Sequence, residues 1–348
     1  MNQATVEILS QHNSLIELDL SLSTSITESN KLSIAKIAKL TAKYFKLISI
    51  LLTNKEIKGC YFTITPTGPS FVKDSVYALI LKAFGVPTIY HLHGNGIKRK
   101  YRPPYKWIYD AVFKNSSIIV LSEALAHDIN FIKKTKIYIL NNFTNILGPA
   151  IKTAPVHRNI IKLGFLSNLR KGKGVHELIE IAANLAGDGV DFEIHIAGPW
   201  SSHEDKKAFF SNKNLLEGEL SSRFKFIGEV SGEKKTSFFN CIDVFVFPSF
   251  IDTFPLVLLE SLSFGKPIIC SNIGGMIDIA TPDVGYVFNH EDPNKYEKIS
   301  QEIKKLCSAQ YYLEKSTSAI NSSLKLYTKD SYSKKLIGII SEFLNRSQ

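Results

Sequence analysis

From residue 160 onward, apolar positions switch between two periods. KLGFLSN (162–168), FEIHIAG (192–198), FKFIGEV (224–230), DVFVFPS (243–249), PIICSN (267–272) and GYVFN (285–289) are short apolar runs of strand length. Between them, VHELIEIAANLA (175–186), KKAFFSNKNLL (206–216), GEKKTSFFNCI (232–242) and LVLLESLSF (256–264) carry apolar residues at helical spacing. Such alternation predicts a parallel sheet covered on both faces, a Rossmann-like domain. The first half is less regular. GCYFTIT (59–65), PTIYHLH (87–93), SSIIVLS (116–122) and KIYILNN (136–142) read as strands, as do VEILSQ (6–11) and LIELDLS (15–21). Periodicity fades over 141–159. The expected organisation is an N-terminal Rossmann-like domain over 1–145, a linker over 146–160 and a C-terminal Rossmann-like domain over 161–325. A helix over 326–348 is expected to cross back to the first domain.

Composition narrows the class. Of 348 residues, 44% are hydrophobic and 21% charged, which argues against a disordered or fibrous chain. No apolar run approaches the ~18–20 residues of a membrane span, and the first residues carry no secretory pattern. Cys60, Cys241, Cys270 and Cys307 form no C-x-x-C pair, so reduced thiols in the cytoplasm are expected. The net charge of +10 is uneven: residues 1–150 hold 18 Lys and Arg against 9 Asp and Glu, and residues 151–348 hold 24 against 23. A basic half beside a neutral one suggests an anionic partner: a nucleic acid, a membrane or a phosphorylated lipid. No nucleic-acid-reading module accompanies the charge, which disfavours the first.

Two stretches carry that excess. In 31–52, Lys36, Lys39, Lys43 and Lys46 form one helical stripe, which suits a solvated helix face as well as a membrane surface. In IKRKYRPPYKW (97–107), Lys98, Arg99, Lys100 and Arg102 alternate with aromatic rings, a composition suited to a membrane interface or a charged acceptor.

The segment richest in chemistry is FPSFIDTFPLVLLESLSFGKPIICSNIGG (247–275). A strand ends near Pro248, an acidic loop follows, and Pro255 opens a helix. The amides of Leu256, Val257 and Leu258 then offer an anion site at the helix N-terminus. Glu260 lies one turn further in, placed to accept a ribose diol. Asp252 is on the loop, placed to accept hydroxyls of a sugar. Lys173 and Gly174 follow the strand of GFLSNLRKGKGVHELIE (164–180), where Lys173 by itself reads as a solvated loop lysine. His91 and His93 in YHLHGNG (90–96) share one face of a strand. They read as packed histidines or, less readily, as metal ligands, since no further ligand follows at metal-site spacing. GNG lacks the third glycine of a dinucleotide fingerprint.

These motifs resemble the family-4 glycosyltransferases, retaining enzymes with the GT-B fold, over roughly residues 87–290. Asp252 and Glu260 fall on the family's two acids, separated by seven residues, with aspartate in place of the first glutamate. Lys173 and Gly174 fall on its Lys-Gly, while Asn168 stands at its arginine position. The resemblance implies an α/β GT-B chain of two Rossmann-like domains facing a central cleft. It also implies that this chain lacks the first strand–loop–helix unit of the N-terminal domain, since TVEILSQ resembles the second strand. His93, Lys173 and Asp252 would serve catalysis. Arg170, Glu260, Leu256, Val257, Phe254 and Gly228 would hold the donor.

The implied reaction moves a hexose from a UDP- or GDP-type nucleotide sugar to a saccharide acceptor by front-side displacement. No metal or other cofactor is expected. The acceptor would be linked to polyprenyl diphosphate, at the inner face of the cytoplasmic membrane, in bacterial O-antigen or capsule synthesis. A catalytically impaired nucleotide-sugar-binding or scaffolding homologue is the alternative, and a metal-dependent hydrolase a distant third.

Overall fold

Residues 2–21, 34–146, 148, 160–212 and 219–346 are described by the structure, a computed structural model. The expected linker lies, but for Ile146, Gly148 and Ile160, outside them. The chain divides into two compact units. One comprises Met1–Leu121, Ala126–Leu140 and Ser333–Gln348; the other comprises Ser122–Leu125 and Asn141–Tyr332.

The first unit is built on four parallel strands in sequential order: β1 (Cys60–Ile64), β2 (Thr88–Leu92), β3 (Ser117–Val120) and β4 (Lys136–Ile139). All five residues of β2 are buried, as a central strand covered on both faces requires. The helices here are α1 (Asn2–Ser10), α2 (Ile34–Thr53), α3 (Gly68–Ala83), α4 (Ile97–Lys100) and α5 (Tyr105–Phe113). Phe71 of α3 stacks on Tyr109 of α5 at 4.4 Å, and Tyr109, Phe113 and Tyr90 complete an aromatic core.

Two expected strands are not strands. VEILSQ belongs mostly to α1, whose buried residues Thr5, Ile8 and Leu9 are spaced by three and one, the helical phase rather than alternation. LIELDLS forms no helix or strand and joins no sheet, and Leu15 and Ile16 are exposed. Lys43 of α2 donates to the Asp19 and Ser21 carbonyls at 2.7 and 2.6 Å, so part of the lysine stripe is engaged within the unit.

In the second unit the alternation gives β5 (Ile161–Leu166), α6 (Glu177–Gly187), β6 (Phe192–Ala197), α7 (His203–Phe210), β7 (Phe224–Gly228) and α8 (Gly232–Cys241). It continues with β8 (Val244–Phe247), α9 (Leu256–Ser263), β9 (Ile268–Ser271), α10 (Met276–Ile279) and β10 (Gly285–Phe288), then α11 (Lys295–Leu306) and α12 (Ala309–Leu326); of α13 (Lys329–Arg346), all but the first turn is counted with the first unit. The helix expected over 206–216 starts earlier, at His203, where Ser202 caps it by accepting from the Asp205 amide; residues 213–218 lie outside the described residues.

The parallel sheet runs β10-β9-β8-β5-β6-β7. In order of appearance that is 6-5-4-1-2-3, a doubly wound sheet whose winding reverses between β5 and β8. At such a reversal the loops leaving the two strands diverge to opposite faces and open a crevice at their carboxyl ends. Lys173 follows β5 and Asp252 follows β8, so the topology delivers both residues to one crevice.

Candidate active site

Three short-range features shape the crevice. After β5 the chain makes a 3-10 turn, Lys171–Lys173, closed by the Gly174 amide on the Lys171 carbonyl at 2.9 Å. Gly174 has φ +82°, and a Cβ there would overlap the Pro248 carbonyl, so glycine lets the two loops touch. The Phe250 amide then donates to the Gly172 carbonyl at 3.1 Å and joins the loops.

This scaffold presents an ion pair. Lys173 Nζ lies 2.6 Å from Asp252 Oδ1, and both side chains are largely buried. The Ser249 hydroxyl donates to Asp252 Oδ2 at 2.6 Å. Ser249 is fully buried, and its carbonyl accepts from Ser271 Oγ and from His290 Nε2. His290 stacks on Phe250 with ring centroids 3.7 Å apart. Asp252 therefore has a donor on each oxygen. One of those donors is the lysine, which the shorter acid holds in place.

Four residues past Asp252, α9 begins. Pro255 is its N-cap, no side chain caps it, and its first turn holds no acid. The Leu258 amide bonds the Pro255 carbonyl at 3.2 Å, so of the three expected anion-binding amides, Leu256 and Val257 are the two that helix geometry leaves without an intrahelical acceptor. Leu256 is exposed and Phe254 is buried against the Tyr327 ring. Gly274, at φ +57°, admits the Asp252 and Thr253 carbonyls against its α-carbon, and the Gly275 amide donates to Thr253 at 2.6 Å.

Glu260 is only 7% exposed, and burial pushes its carboxyl above the usual range, against the pull of Lys235. Lys235 of α8 hydrogen-bonds Oε1 at 2.6 Å and lies 2.6 Å from Oε2, yet Oε2 has no aligned donor among the described residues. A buried acceptor in that state fits a hydroxyl donor from a ligand. Arg170 is exposed at the head of the 3-10 turn. Gly228 ends β7 at φ +80°, and its carbonyl accepts the Gly198 amide at 2.7 Å. Among the bonds described, Arg170 meets the Lys173–Asp252 pair only through its carbonyl, which accepts the Lys173 amide at 2.9 Å.

His93 belongs to the first unit. Its ring lies 4.1 Å from that of His91, and burial lowers its pKa to about 4. His91 is fully buried, its pKa is driven well down by burial, and its Nδ1 pairs with the Tyr61 hydroxyl. Both imidazoles are neutral at pH 7, and His93 Nε2 is buried without a partner among the described residues. Among the described residues no three His, Cys, Asp or Glu side chains form a metal-ligand set. Lys98, Arg99 and Lys100 are exposed on α4, whose first amides are taken by Asp128 at 2.7–3.0 Å. Arg102 is exposed on the loop that follows, and Trp107, 66% exposed, stands on α5.

Sequence reasoning missed Lys235 and Ser249. Lys235 is one of two adjacent lysines, and only the phase of α8 turns it inward while Lys234 stays exposed. Ser249 carried a signal, as the serine directly after the strand-ending proline.

Residues 154–323 match the family model described as glycosyl transferases group 1. Over 217 residues the chain is 26% identical to the capsular polysaccharide biosynthesis glycosyltransferase CapM of Staphylococcus aureus, covering 56% of this chain and 53% of CapM. Over 79 residues it is 34% identical to the O-antigen chain mannosyltransferase B of Escherichia coli, 23% of this chain and 20% of that protein. The chain thus spans about half the length of the first relative and a fifth of the second. Among solved structures, Anabaena HepE in complex with UDP superposes with a TM-score of 0.66 at 17% identity, covering 85% of this chain and 82% of HepE. The lipopolysaccharide outer core galactosyltransferase WaaB gives 0.63 at 17% identity, over 88% and 82%. These likenesses establish the fold class, α/β with the parallel sheets of GT-B glycosyltransferases. No described helix is long and apolar enough to cross a membrane.

Proposed function

Because residues 154–323 are a glycosyl transferases group 1 domain, we propose that this protein transfers a hexose from a UDP- or GDP-type sugar to a saccharide acceptor, with retention. The observation that carries the reading is Lys173, fixed where the sheet reverses, 2.6 Å from Asp252, which stands four residues before an uncapped helix N-terminus. An ammonium and two amides at a helix N-terminus suit a diphosphate, and the buried carboxylate of Glu260 suits a ribose diol. HepE was solved with UDP, which is compatible with such a donor.

In this mechanism the bond from the anomeric carbon to the diphosphate breaks while the acceptor oxygen bonds that carbon on the same face. The acceptor proton passes to the departing diphosphate. Lys173 and the Leu256 and Val257 amides stabilise the negative charge as it develops, which is where fixed dipoles contribute most. His93 is the third catalytic residue of this reading, its imidazole kept neutral by burial, and no metal takes part. A glycosyltransferase acting on a polyprenyl-diphosphate saccharide at the cytoplasmic membrane face suits the exposed Lys98, Arg99, Lys100 and Arg102 beside Trp107. The capsule and O-antigen relatives point to a surface-polysaccharide pathway. One observation favours the alternative of a nucleotide-sugar-binding homologue without turnover: both Asp252 oxygens already have protein donors.

Purified protein incubated with UDP- and GDP-hexoses in EDTA is expected to release sugar slowly from one of them, faster with a polyprenyl-diphosphate saccharide. Binding without release selects the alternative, and release only with added divalent metal overturns the metal-independent mechanism. The protein is also expected to sediment with vesicles of anionic lipid at low salt. Equal recovery with neutral vesicles removes the membrane part of the reading.

A further inference from the structure

We propose that Lys235 is the positioning residue for Glu260, keeping that carboxylate ionised and turned toward a hydroxyl pair of the donor; this rests on the donor site proposed above. Glu260 lies one turn inside α9, in surroundings that favour its neutral form. A protonated acid offers one acceptor fewer and grips a diol less well than a carboxylate. Lys235, 2.6 Å from both oxygens, opposes protonation and fixes the plane of the carboxylate, while Oε2 stays short of an aligned donor.

The charged groups on the neighbouring elements are engaged elsewhere or exposed. Asp278 of α10 accepts the Ala124 amide at 2.8 Å. Lys315 of α12 reaches the Pro282 carbonyl, while Glu314 and Lys325 of that helix are exposed. Lys266, just past α9, donates to the Ile242 carbonyl. Glu233 and Lys234 of α8 are exposed, and β9 contributes only the Cys270 thiol, which burial keeps protonated. Among the described residues, Lys235 is the charge that acts on Glu260.

The test follows donor KM and kcat from about pH 6 to about pH 9 in the native protein and in Lys235→Met, Lys235→Arg and Glu260→Gln. In Lys235→Met, donor KM is expected to rise about tenfold at the acid end, where the buried carboxyl without its counter-charge takes up a proton and a charged hydrogen bond to the donor is lost. It returns toward the native value as pH rises and Glu260 ionises, with kcat little changed. Lys235→Arg keeps the charge and should keep the flat native profile. A KM rise of equal size at every pH, or none, overturns the proposal. If Glu260→Gln weakens donor binding while Lys235→Met does not, the donor site stands and the role of Lys235 falls. If Glu260→Gln changes nothing, the donor site falls, and the proposal with it.

Discussion

Lys173→Ala is expected to leave a folded protein whose kcat for sugar transfer is lower by about 10²–10³-fold, the usual cost of removing one preorganised charge-stabilising donor. The size follows from where the ammonium sits. It is largely buried beside Asp252, at the carboxyl edge of the sheet, where a charge acts through less water than at an open surface. Its removal has a second consequence. Asp252 keeps the Ser249 hydroxyl but loses its counter-charge, so a carboxylate then faces the incoming diphosphate. Donor KM should therefore rise along with the fall in kcat. Lys173→Ala combined with Asp252→Asn should bind donor better than Lys173→Ala alone, because two residues in contact do not act additively. Steady-state kinetics at saturating acceptor check this. A kcat within about twofold of native would reduce the pair to an ordinary surface contact of small worth.

Gly174→Ala is expected to destabilise the second unit by about 3 kcal/mol or more. Two costs add. The residue has φ +82°, a conformation that L side chains rarely adopt, and a Cβ would overlap the carbonyl oxygen and carbon of Pro248. The neighbour is backbone at a strand end, so it cannot rotate away. Relief requires the loops after β5 and β8 to separate, which strains the Phe250–Gly172 bond and moves Lys173 off Asp252. Melting temperature should fall by roughly 6–12 °C, with transfer lost even in the fraction that folds. Gly187→Ala is the matched control: it lies in the last turn of α6, and a Cβ there meets nothing within 4 Å. It should be neutral or slightly stabilising. Thermal unfolding of the two variants side by side decides whether position 174 carries strain or merely tolerates glycine.

The second unit was legible because its signal is redundant. Each strand from β5 to β10 is a short apolar run closed by polar or turn residues, and each coincides within one or two residues with its expected span. The first unit was less so. VEILSQ offers Val6 and Ile8 at strand spacing but also Ile8 and Leu9 side by side, and burial of Thr5, Ile8 and Leu9 selected the helix. LIELDLS alternates without a neighbouring strand to pair with, and a short stretch that gains no ladder bonds does not become a strand.

The site divides along the same line. Glu260 was placed by its position within a helix legible in the sequence, whereas Lys173, by itself a solvated loop lysine, was singled out only by the family resemblance. Pairings set by packing were not legible. Lys235 meets Glu260 across 25 positions because α8 and α9 lie together, and Ser249 fills Asp252 Oδ2 because the loop after β8 curls back on itself. The expectation that Leu258 offers its amide failed for a local reason, since the first turn of α9 closes on Pro255.

The most direct test of the central claim is calorimetric titration of UDP, GDP and their hexose conjugates into the purified protein, repeated with Lys173→Ala and Glu260→Gln. The account predicts saturable binding of one nucleoside diphosphate and its sugar conjugate, weakened about tenfold or more in each variant, as expected for loss of a charged hydrogen-bonding partner. Binding that is equal in all three proteins, or absent from the native protein for every nucleotide, would contradict it.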